Sequence, residues 1–275
     1  MEAKSARLPA VTPAALYGRG VFTTLAVYGG HPFLWAEHWA RLILHAERAG
    51  VDRSVLDEEQ ALALLFKLIE ANHVREGRAR ITLLSNASGE GFWNLKDENE
   101  AHETLLLIMT GDSHAPSDEA LALTVSPYRI NTLSPLTGIK SVNYLEHVIA
   151  WEEARARDFH EAIMLNERGE VVSGTMANLF WVKDGALHTP ALQTGALAGT
   201  TRARILMLAE ELGIPIVEGV NELAQVGDAD EIFLTSVGLG LAIITTFDFH
   251  HYTVPVGSVA LRLHEAFRQL TLLMP

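Results

Sequence analysis

One lysine stands out because of where the sequence places it. Lys140 lies in the segment LTGIKSVNYLEH, residues 136–147, after a turn-rich stretch and before a run with helical composition. A buried lysine can lose its proton and act as an amine nucleophile or as the anchor of a Schiff base. Most lysines stay solvated at the protein surface. Lys140 therefore needs chemical partners elsewhere in the chain before such a role is predicted.

Partners for a phosphorylated aldehyde occur in three other segments. The stretch GALAGTTR, residues 195–202, supplies small residues and then Thr200 and Thr201 at the predicted start of a helix. The free N–H groups and the positive dipole end of a helix start can hold a phosphate. Ser236 ends the segment LTS, and Arg41 could add positive charge. The lysine and this phosphate site together indicate a cofactor that carries both an aldehyde and a phosphate.

The elements that would position these residues are short strands, hairpins and helices. In the first part of the chain, hydrophobic spacing predicts a hairpin, two helices and two strands, at 20–35, 36–50, 55–72, 78–85 and 103–110. In the second part it predicts a strand, a helix, a strand, a hairpin, a helix, two strands and a closing helix, at 120–128, 143–156, 161–166, 178–190, 200–213, 214–219, 230–236 and 260–270. Because strands are often joined as hairpins, we predict an α/β fold of α+β character.

The composition of residues 111–119, GDSHAPSDE, is typical of a loop and indicates a boundary between two domains. We predict a first domain over residues 1–112, a linker over 113–119 and a second domain over 120–275.

Composition excludes several classes of function. The formal net charge is −13, which argues against a surface for nucleic acid or for anionic membranes. Cysteine is absent, so disulfides, thiolate metal sites and cysteine nucleophiles are excluded. No stretch approaches the roughly 20 apolar residues that span a bilayer, and the N-terminus lacks an apolar signal core. We expect a soluble, cytoplasmic protein.

Motifs for other chemistries are also missing. The glycines near 237–242 do not follow the G-x-G-x-x-G order of dinucleotide sites, and the G-x-S-x-G of serine hydrolases is absent. His38 and His45 are seven residues apart on one predicted helix, which favours packing or surface roles over a metal pair. His250 and His251 lie in a predicted turn and are expected to face solvent.

Five segments, taken in order, resemble the class IV (fold type IV) pyridoxal-phosphate enzymes, the family of branched-chain and D-amino-acid aminotransferases and aminodeoxychorismate lyase. They are YGRGVFTTLAVYGGHPFLWAEHWARL, GIKSVNYL, GTMANLFWV, TPALQTGALAGTTR and DEIFLTS, which together span roughly residues 17–236. The resemblance implies a small N-terminal α/β domain, a larger C-terminal domain with hairpin-rich sheets, and a homodimer. It also implies pyridoxal 5'-phosphate bound between the domains.

The resemblance also implies roles for individual residues. Lys140 resembles the lysine that forms the Schiff base with the cofactor and shuttles a proton. Arg41 resembles the phosphate-binding arginine of the family's HxxRL element, and Tyr144 resembles the tyrosine near the phenolic oxygen of the cofactor. Further cofactor contacts are implied in the NLF strand, on the pyridine face and at the phosphate, by Asn178, Leu197, Thr200, Thr201 and Ser236.

One position departs from the family pattern. Five residues before Asn178, where the family usually has a glutamate beside the pyridine nitrogen, this chain has Ser173. A protonated pyridine ring is a strong electron sink, whereas a serine can only hydrogen-bond the nitrogen. We therefore expect the neutral ring to be better populated and the reaction to be slower, unless another group or a water compensates.

Two reactions of the family use the same lysine. An aminotransferase moves an amino group between an amino acid and a 2-oxo acid, and we place this reaction first. A 4-amino-4-deoxychorismate lyase instead releases pyruvate and 4-aminobenzoate. Thr23 in VFTT, where many of the aminotransferases have an acidic residue, and the ANLFW segment favour the lyase. Arg19 and Arg129 are candidates for a substrate carboxylate, because arginine offers bidentate geometry.

The loss of the glutamate also leaves open a protein that binds the cofactor with little catalytic activity. Because Lys140, Tyr144 and the phosphate site are all present, this reading is less favoured. A globular protein without a cofactor would require the ordered motifs to be coincidental.

Overall fold

The computed structural model describes residues 7–53, 57–86, 103–112 and 121–273. The helices within these ranges are α1 (Pro13–Tyr17), α2 (Trp35–Arg48), α3 (Glu58–Ala71), α4 (Leu145–Ala156), α5 (Thr200–Glu211), α6 (Leu223–Gly227) and α7 (Val259–Leu272). The strands are β1 (Gly20–Tyr28), β2 (His31–Pro32), β3 (Gly77–Ser85), β4 (Thr104–Asp112), β5 (Leu121–Ile130), β6 (Glu161–Asn166), β7 (Val171–Gly174), β8 (Asn178–Lys183), β9 (Ala186–Pro190), β10 (Ile216–Gly219), β11 (Glu231–Ser236), β12 (Gly240–Phe247) and β13 (His250–His251).

The first sheet is antiparallel, with strand order β2-β1-β3-β4. Side chains alternate along β3, because successive residues of a strand point to opposite faces. Ala79, Ile81 and Leu83 are fully buried in one hydrophobic cluster with residues of α2 and α3. Arg78 and Arg80 alternate with them and line a cavity on the other side of the strand. One strand thus supplies both a core face and a cationic face.

The second sheet has nine strands, in the order β10-β9-β8-β11-β12-β5-β6-β7, with β13 paired to β12. Its pairings are mixed: hairpins such as β8-β9 are antiparallel, whereas β12-β5 and β5-β6 are parallel. Along β8, Phe180 and Val182 join one buried cluster, and Leu179 and Trp181 join another. Helices α5 and α7 contribute to the first of these clusters, so they cover one face of the sheet.

The predicted fold class is confirmed: the chain is a mixed α/β protein of α+β character, with a small N-terminal sheet and a larger, hairpin-rich C-terminal sheet. The proposed linker, 113–119, lies outside the described residues, so the boundaries 1–112 and 120–275 stay a prediction. The four strands of the first sheet precede this segment and the strands of the second sheet follow it.

Helix α4 begins two residues later than the predicted residue 143. The backbone N–H of Asn143 donates to Ser141 Oγ at 3.1 Å, and its side-chain amide donates to Gly18 O at 2.6 Å. These bonds hold Asn143 outside the helix, and Tyr144 takes the N-cap position. In the part of the chain that is described, no helix combines the length and apolar character needed to cross a bilayer.

Candidate active site

A cavity of about 900 Å³ lies between the first sheet and the loops of the second sheet. It is lined by residues of β1 and β3, by the segment before α4, and by the loops that lead into β8 and α5. The structure brings to its wall all nine residues expected at the cofactor, namely Arg41, Lys140, Tyr144, Ser173, Asn178, Leu197, Thr200, Thr201 and Ser236.

The backbone of Lys140 is fixed from two sides. Phe22 N donates to Lys140 O at 2.9 Å, and Lys140 N donates to Nδ1 of the buried His45 at 3.0 Å. An isolated bridge between Val21 and Ser141 extends this contact to β1. The lysine thus enters the cavity from a segment that is held against the first sheet, although it belongs to the chain that leads into α4.

The amine of Lys140 lies between two aromatic rings. Its Nζ is 4.6 Å from the ring centroid of Phe22 and 4.7 Å from that of Tyr144. Burial, together with the positive charges of Arg41 and Arg80, lowers the pKa of Lys140 to about 7. A large fraction of the amine is therefore unprotonated near neutral pH, as a nucleophilic lysine requires.

Arg41 is a half-buried cation without a carboxylate partner among the described residues. Its Nη1 donates to Ala198 O at 3.1 Å and its Nη2 donates to Thr23 Oγ1 at 3.0 Å, while its Nε is buried without a partner. Burial lowers the pKa of Arg41 to about 10. A guanidinium with an unused buried donor is stabilised by an anion. This end of the cavity is therefore suited to bind an anion.

The start of α5 meets Arg41 at the same end of the cavity. Gly199 is the N-cap and makes no side-chain capping bond, so the first N–H groups of the helix are not capped by it. Asn178 Nδ2 donates to Leu197 O at 2.9 Å and so holds the preceding loop. A Cβ at Gly199 would lie 2.0 Å from Asn178 Oδ1. A larger residue at position 199 would therefore displace the Asn178 side chain that holds this loop.

Tyr144 and His147 form a stacked pair in the cavity wall. Their ring centroids are 4.4 Å apart, and His147 Nδ1 lies 2.9 Å from Thr175 O. Burial and the negative charge of Glu161 raise the pKa of Tyr144 to about 12, although Arg41 and Arg80 act in the opposite direction. The phenol therefore stays protonated and can donate a hydrogen bond.

Ser173 is buried in the wall at the end of β7. Its hydroxyl donates to Gly174 O at 2.7 Å. The bond leaves the serine oxygen with lone pairs only, so it can accept a further hydrogen bond but cannot donate one.

Behind Ser173 lies a buried carboxylate that sequence reasoning missed. Glu161, at the start of β6, accepts hydrogen bonds from the backbone N–H groups of Ala162, Thr175 and Met176 at 2.8–2.9 Å, and also from the Thr175 hydroxyl. Burial raises the pKa of this carboxyl above its ordinary value, and the four donors offset only part of that rise. Glu161 fixes the loop between β7 and β8. A charged residue in the otherwise apolar EAIMLN strand is the signal that could have found it.

The cationic face of β3 was also missed. The guanidinium carbon of Arg80 lies 3.6 Å from the ring centroid of Phe22, and Arg78 Nη2 donates to Gly238 O at 3.1 Å. Arg19 and Arg129 were predicted to bind a substrate carboxylate instead. Both are exposed, and neither lines the cavity: Arg19 lies near Gly50, and Arg129 Nη1 donates to the carbonyls of its own strand.

The loop after β11 closes the cavity near Ser236. Ser236 Oγ accepts from Leu239 N at 3.1 Å, and the neighbouring Thr235 Oγ1 is buried without a partner.

His38 and His45, which were predicted to have packing or surface roles, are buried and form hydrogen bonds with protein groups. The described residues contain no group of three side chains able to hold a metal ion. His250 and His251 are exposed on β13.

A family model for class IV amino-transferases matches residues 20–247. The chain belongs to the class IV aminotransferase family. The aminodeoxychorismate lyase of Bacillus subtilis is 31% identical over 274 residues, covering 98% of this chain and 91% of the relative. The D-alanine aminotransferase of Staphylococcus epidermidis is 27% identical, covering 92% of this chain and 89% of the relative.

The fold comparison agrees. The branched-chain aminotransferase of Thermoproteus uzoniensis, solved with norvaline, superposes with a TM-score of 0.89 at 27% identity, covering 99% of this chain and 92% of the neighbour. The predicted resemblance is therefore confirmed. Because similar proteins bear the names of aminotransferases and of a lyase, membership of the family does not choose between the two reactions.

Proposed function

We propose that the chain is a pyridoxal-phosphate-dependent aminotransferase, which moves an amino group between an amino acid or amine and a 2-oxo acid. The observation that carries this proposal is the amine of Lys140, with its pKa lowered to about 7, in a cavity that also contains Arg41, whose buried Nε has no partner. The amine suits an aldehyde and the guanidinium suits a phosphate.

The residues of the cavity fit this cofactor. Its phosphate would be held by Arg41, whose Nε is an unused buried donor, and by the N-terminal residues Thr200 and Thr201 of α5. Ser236 and the unpartnered hydroxyl of Thr235 lie on the wall of the same cavity. When bound, pyridoxal phosphate supplies the electron sink that makes a substrate Cα–H bond acidic.

The protein's own groups would divide the remaining work. Lys140 Nζ would anchor the cofactor, then accept the proton of the substrate carbon and return it to a neighbouring carbon. Tyr144, with its pKa raised to about 12, would donate a hydrogen bond from its phenol. Leu197 would pack against the ring, and Asn178 holds the Leu197 carbonyl. The rings of Phe22 and Tyr144 shield the amine from water.

Ser173 bears on how the ring nitrogen would be held. Its hydroxyl proton is committed to Gly174 O, so a ring nitrogen beside its oxygen would have to bring a proton of its own. The expectation of a neutral ring stays a prediction, but this hydrogen bond argues against it. In this geometry Ser173 favours the protonated ring, more weakly than a carboxylate would.

We propose Arg80 as the residue that recognises a substrate carboxylate. It belongs to β3 and lies on the cavity wall, and its positive charge contributes to the lowered pKa of Lys140. Arg78 extends the same cationic face. Arg19 and Arg129, the candidates from the sequence, are exposed outside the lining of this cavity, which makes them weaker proposals.

A second candidate is 4-amino-4-deoxychorismate lyase. The lyase of Bacillus subtilis, at 31% identity, supports it, as does the absence of an acidic residue at Thr23. The same Lys140 would serve, with pyruvate as the product that leaves. A third candidate, a cofactor-binding protein with little activity, rests on Ser173 alone.

A half-reaction separates these three functions. The protein loaded with pyridoxal phosphate is mixed with single amino acids and no oxo-acid acceptor, and the visible spectrum is followed. Conversion to the pyridoxamine form is the result that transamination predicts. Absence of conversion with every amino acid, together with pyruvate release from aminodeoxychorismate, contradicts it and supports the lyase. If the protein is coloured by the cofactor but gives neither conversion nor pyruvate release, the result supports a cofactor-binding protein with little activity.

We also propose a homodimer, as the family resemblance implies, and a cytoplasmic location, which the absence of cysteine supports. Light scattering of the purified protein tests the first proposal, since a monomeric mass contradicts it. Fractionation of cells that express the chain tests the second.

A further inference from the structure

A line of hydrogen bonds joins Arg41 to the start of α5 through a buried histidine. Arg41 Nη2 lies 3.0 Å from Thr23 Oγ1, which lies 2.7 Å from His38 Nδ1. His38 Nε2 in turn lies 3.1 Å from Thr200 Oγ1. Thr23 and His38 are each only 1% exposed, so water does not compete for these bonds. The line connects β1, α2 and α5, and both of its ends face the cavity.

The chemistry of the groups fixes the direction of each bond. A guanidinium only donates, so Thr23 Oγ1 accepts from Arg41. The Thr23 hydroxyl needs an acceptor for its own proton, and His38 Nδ1 is the one within reach among the described residues. Nδ1 is then unprotonated, and the ring proton of a neutral His38 resides on Nε2. Nε2 donates to Thr200 Oγ1, so the Thr200 hydroxyl must place its proton elsewhere.

The electrostatic environment keeps His38 neutral. Burial, and the positive charges of Arg41 and Lys140, lower the pKa of His38 to about 3. A neutral imidazole has one donor and one acceptor nitrogen, which the directional line requires. Protonation at both nitrogens would leave the Thr23 hydroxyl without its acceptor.

We propose that His38 is a positioning residue, which holds the Thr200 hydroxyl as a hydrogen-bond donor towards the anion bound by Arg41 and the start of α5. The inference rests on the proposed function, in which this anion is the cofactor phosphate. The same line orients the Arg41 guanidinium through Thr23. A single buried imidazole therefore sets the polarity of the Thr200 hydroxyl and helps to orient the Arg41 guanidinium, and both groups converge on one anion.

The residue at position 23 is what permits this arrangement. A carboxylate there would pair with Arg41 and neutralise it, whereas the Thr23 hydroxyl accepts from Arg41 and leaves its charge for the ligand. The Thr23 hydroxyl also donates a hydrogen bond to Nδ1 of His38. The line thus depends on the threonine at position 23, where this chain has no acidic residue.

The first test reads the tautomer of His38 directly. Nitrogen NMR of the cofactor-free protein with labelled histidine, assigned by the loss of a signal in His38→Gln, reports which ring nitrogen carries the proton. We expect the proton on Nε2. A proton on Nδ1, or a doubly protonated ring at pH 7, overturns the proposal. The tautomer is read in the wild-type protein, and the variant serves only to assign the signal.

The second test measures the affinity of the cofactor-free protein for inorganic phosphate by calorimetry. Glutamine at position 38 can place an amide N–H near the site of Nε2, whereas asparagine reaches only the site of Nδ1. We expect His38→Asn to weaken phosphate binding roughly tenfold to a hundredfold, and His38→Gln to stay within about threefold of wild type. His188→Gln, which changes a histidine stacked on Trp181 outside the cavity, is the matched control.

A double-mutant cycle separates positioning from a general structural effect. In a Thr200→Val background, His38→Asn should cost clearly less phosphate affinity than it does in the wild-type protein, because the hydroxyl that it positions is absent and only the orientation of Arg41 through Thr23 is left to lose. An undiminished additional loss in that background overturns the proposal, as does unchanged binding in His38→Asn alone. Pyridoxal phosphate is titrated separately. If phosphate binds with the expected pattern but pyridoxal phosphate forms no covalent adduct, the proposed function fails while the role of His38 stands.

Discussion

At the scale of single residues, two of the cations that line the cavity, Lys140 and Arg41, have no neighbouring carboxylate to stabilise their charge. Neither Lys140 nor Arg41 forms an ion pair among the described residues, and burial lowers the pKa of both. The two cations also repel each other, since Arg41 contributes to the lowered pKa of Lys140. This arrangement costs folding free energy in the empty protein, and an anionic ligand relieves the cost.

The lowered pKa of Lys140 gives a pH dependence that can be measured without the cofactor. Because only the neutral amine reacts, acylation of Lys140 by a small reagent should rise through a midpoint near pH 7. Quantitative peptide mapping across a pH series measures it. A midpoint near the ~10.4 of an ordinary lysine would contradict the account. Arg80→Gln should move the midpoint upward, whereas Arg268→Gln, on the exposed face of α7, should leave it unchanged.

The same shift has a consequence for stability, with a definite sign. The pKa of Lys140 is lower in the folded protein than in the unfolded chain, so the unfolded chain binds more protons between the two values. The cofactor-free protein should therefore gain stability from this group as pH rises from about 7 towards the ordinary lysine value.

At the scale of elements, the loop between β7 and β8 is held by a carboxylate from β6. Glu161 accepts hydrogen bonds from the backbone N–H groups of Ala162, Thr175 and Met176. Glu161→Gln replaces one acceptor oxygen by a donor that faces N–H groups. We expect the free energy of unfolding to fall by about 1–3 kcal/mol.

Denaturant unfolding of the cofactor-free protein measures this effect. Glu265→Gln, on the exposed surface of α7, is the control and should change stability by less than about 0.5 kcal/mol. Equal stabilities for Glu161→Gln and the control would show that the loop does not depend on this carboxylate.

The elements also show which parts of the fold could be predicted from sequence. Hairpin β8-β9 and helix α5 were predicted because turn residues and apolar spacing are local signals. Strand β7 has only four residues and is defined by its pairing with β6, so no local pattern identified it. Strand β12 was not predicted, although its β-branched run of Ile243–Thr246 is a local signal for a strand. The parallel pairing of β5 with β6 and β12 is a long-range property that periodicity does not encode.

The candidate site divides in the same way. The residues carried by motifs, such as Lys140 and Arg41, all reach the cavity. Arg80 was missed because the pattern RARITLLS gives the alternation of a strand but not which face meets the second sheet. Arg19 and Arg129 were chosen on residue type alone, and their positions in the fold leave them exposed.

At the scale of the whole molecule, the cavity joins parts of the chain that are far apart in sequence. Arg41 and Ala198, which form one hydrogen bond, are 157 residues apart. The anion site therefore exists only when α2 and the start of α5 are assembled against each other. Ligand binding at this site should stabilise the folded protein as a whole.

Charge is also distributed unevenly over the molecule. The chain carries a formal net charge of −13, yet Arg41, Arg78, Arg80 and Lys140 all line one cavity. A local cationic site in an acidic protein concentrates an anionic ligand where the amine is placed. This contrast supports a small phosphorylated or carboxylated ligand and argues against a polyanion, which the remaining surface would repel.

The central claim is that Lys140 is the residue that holds pyridoxal phosphate, and covalent trapping tests it most directly. The protein is incubated with pyridoxal phosphate, reduced with borohydride, digested and mapped by mass spectrometry, with Lys140→Ala treated in parallel. The account predicts a phosphopyridoxyl group on Lys140 of the wild-type protein. In the Lys140→Ala variant, no other lysine should carry a comparable amount of this group. A group fixed on a different lysine, or no group on the wild-type protein, would contradict it.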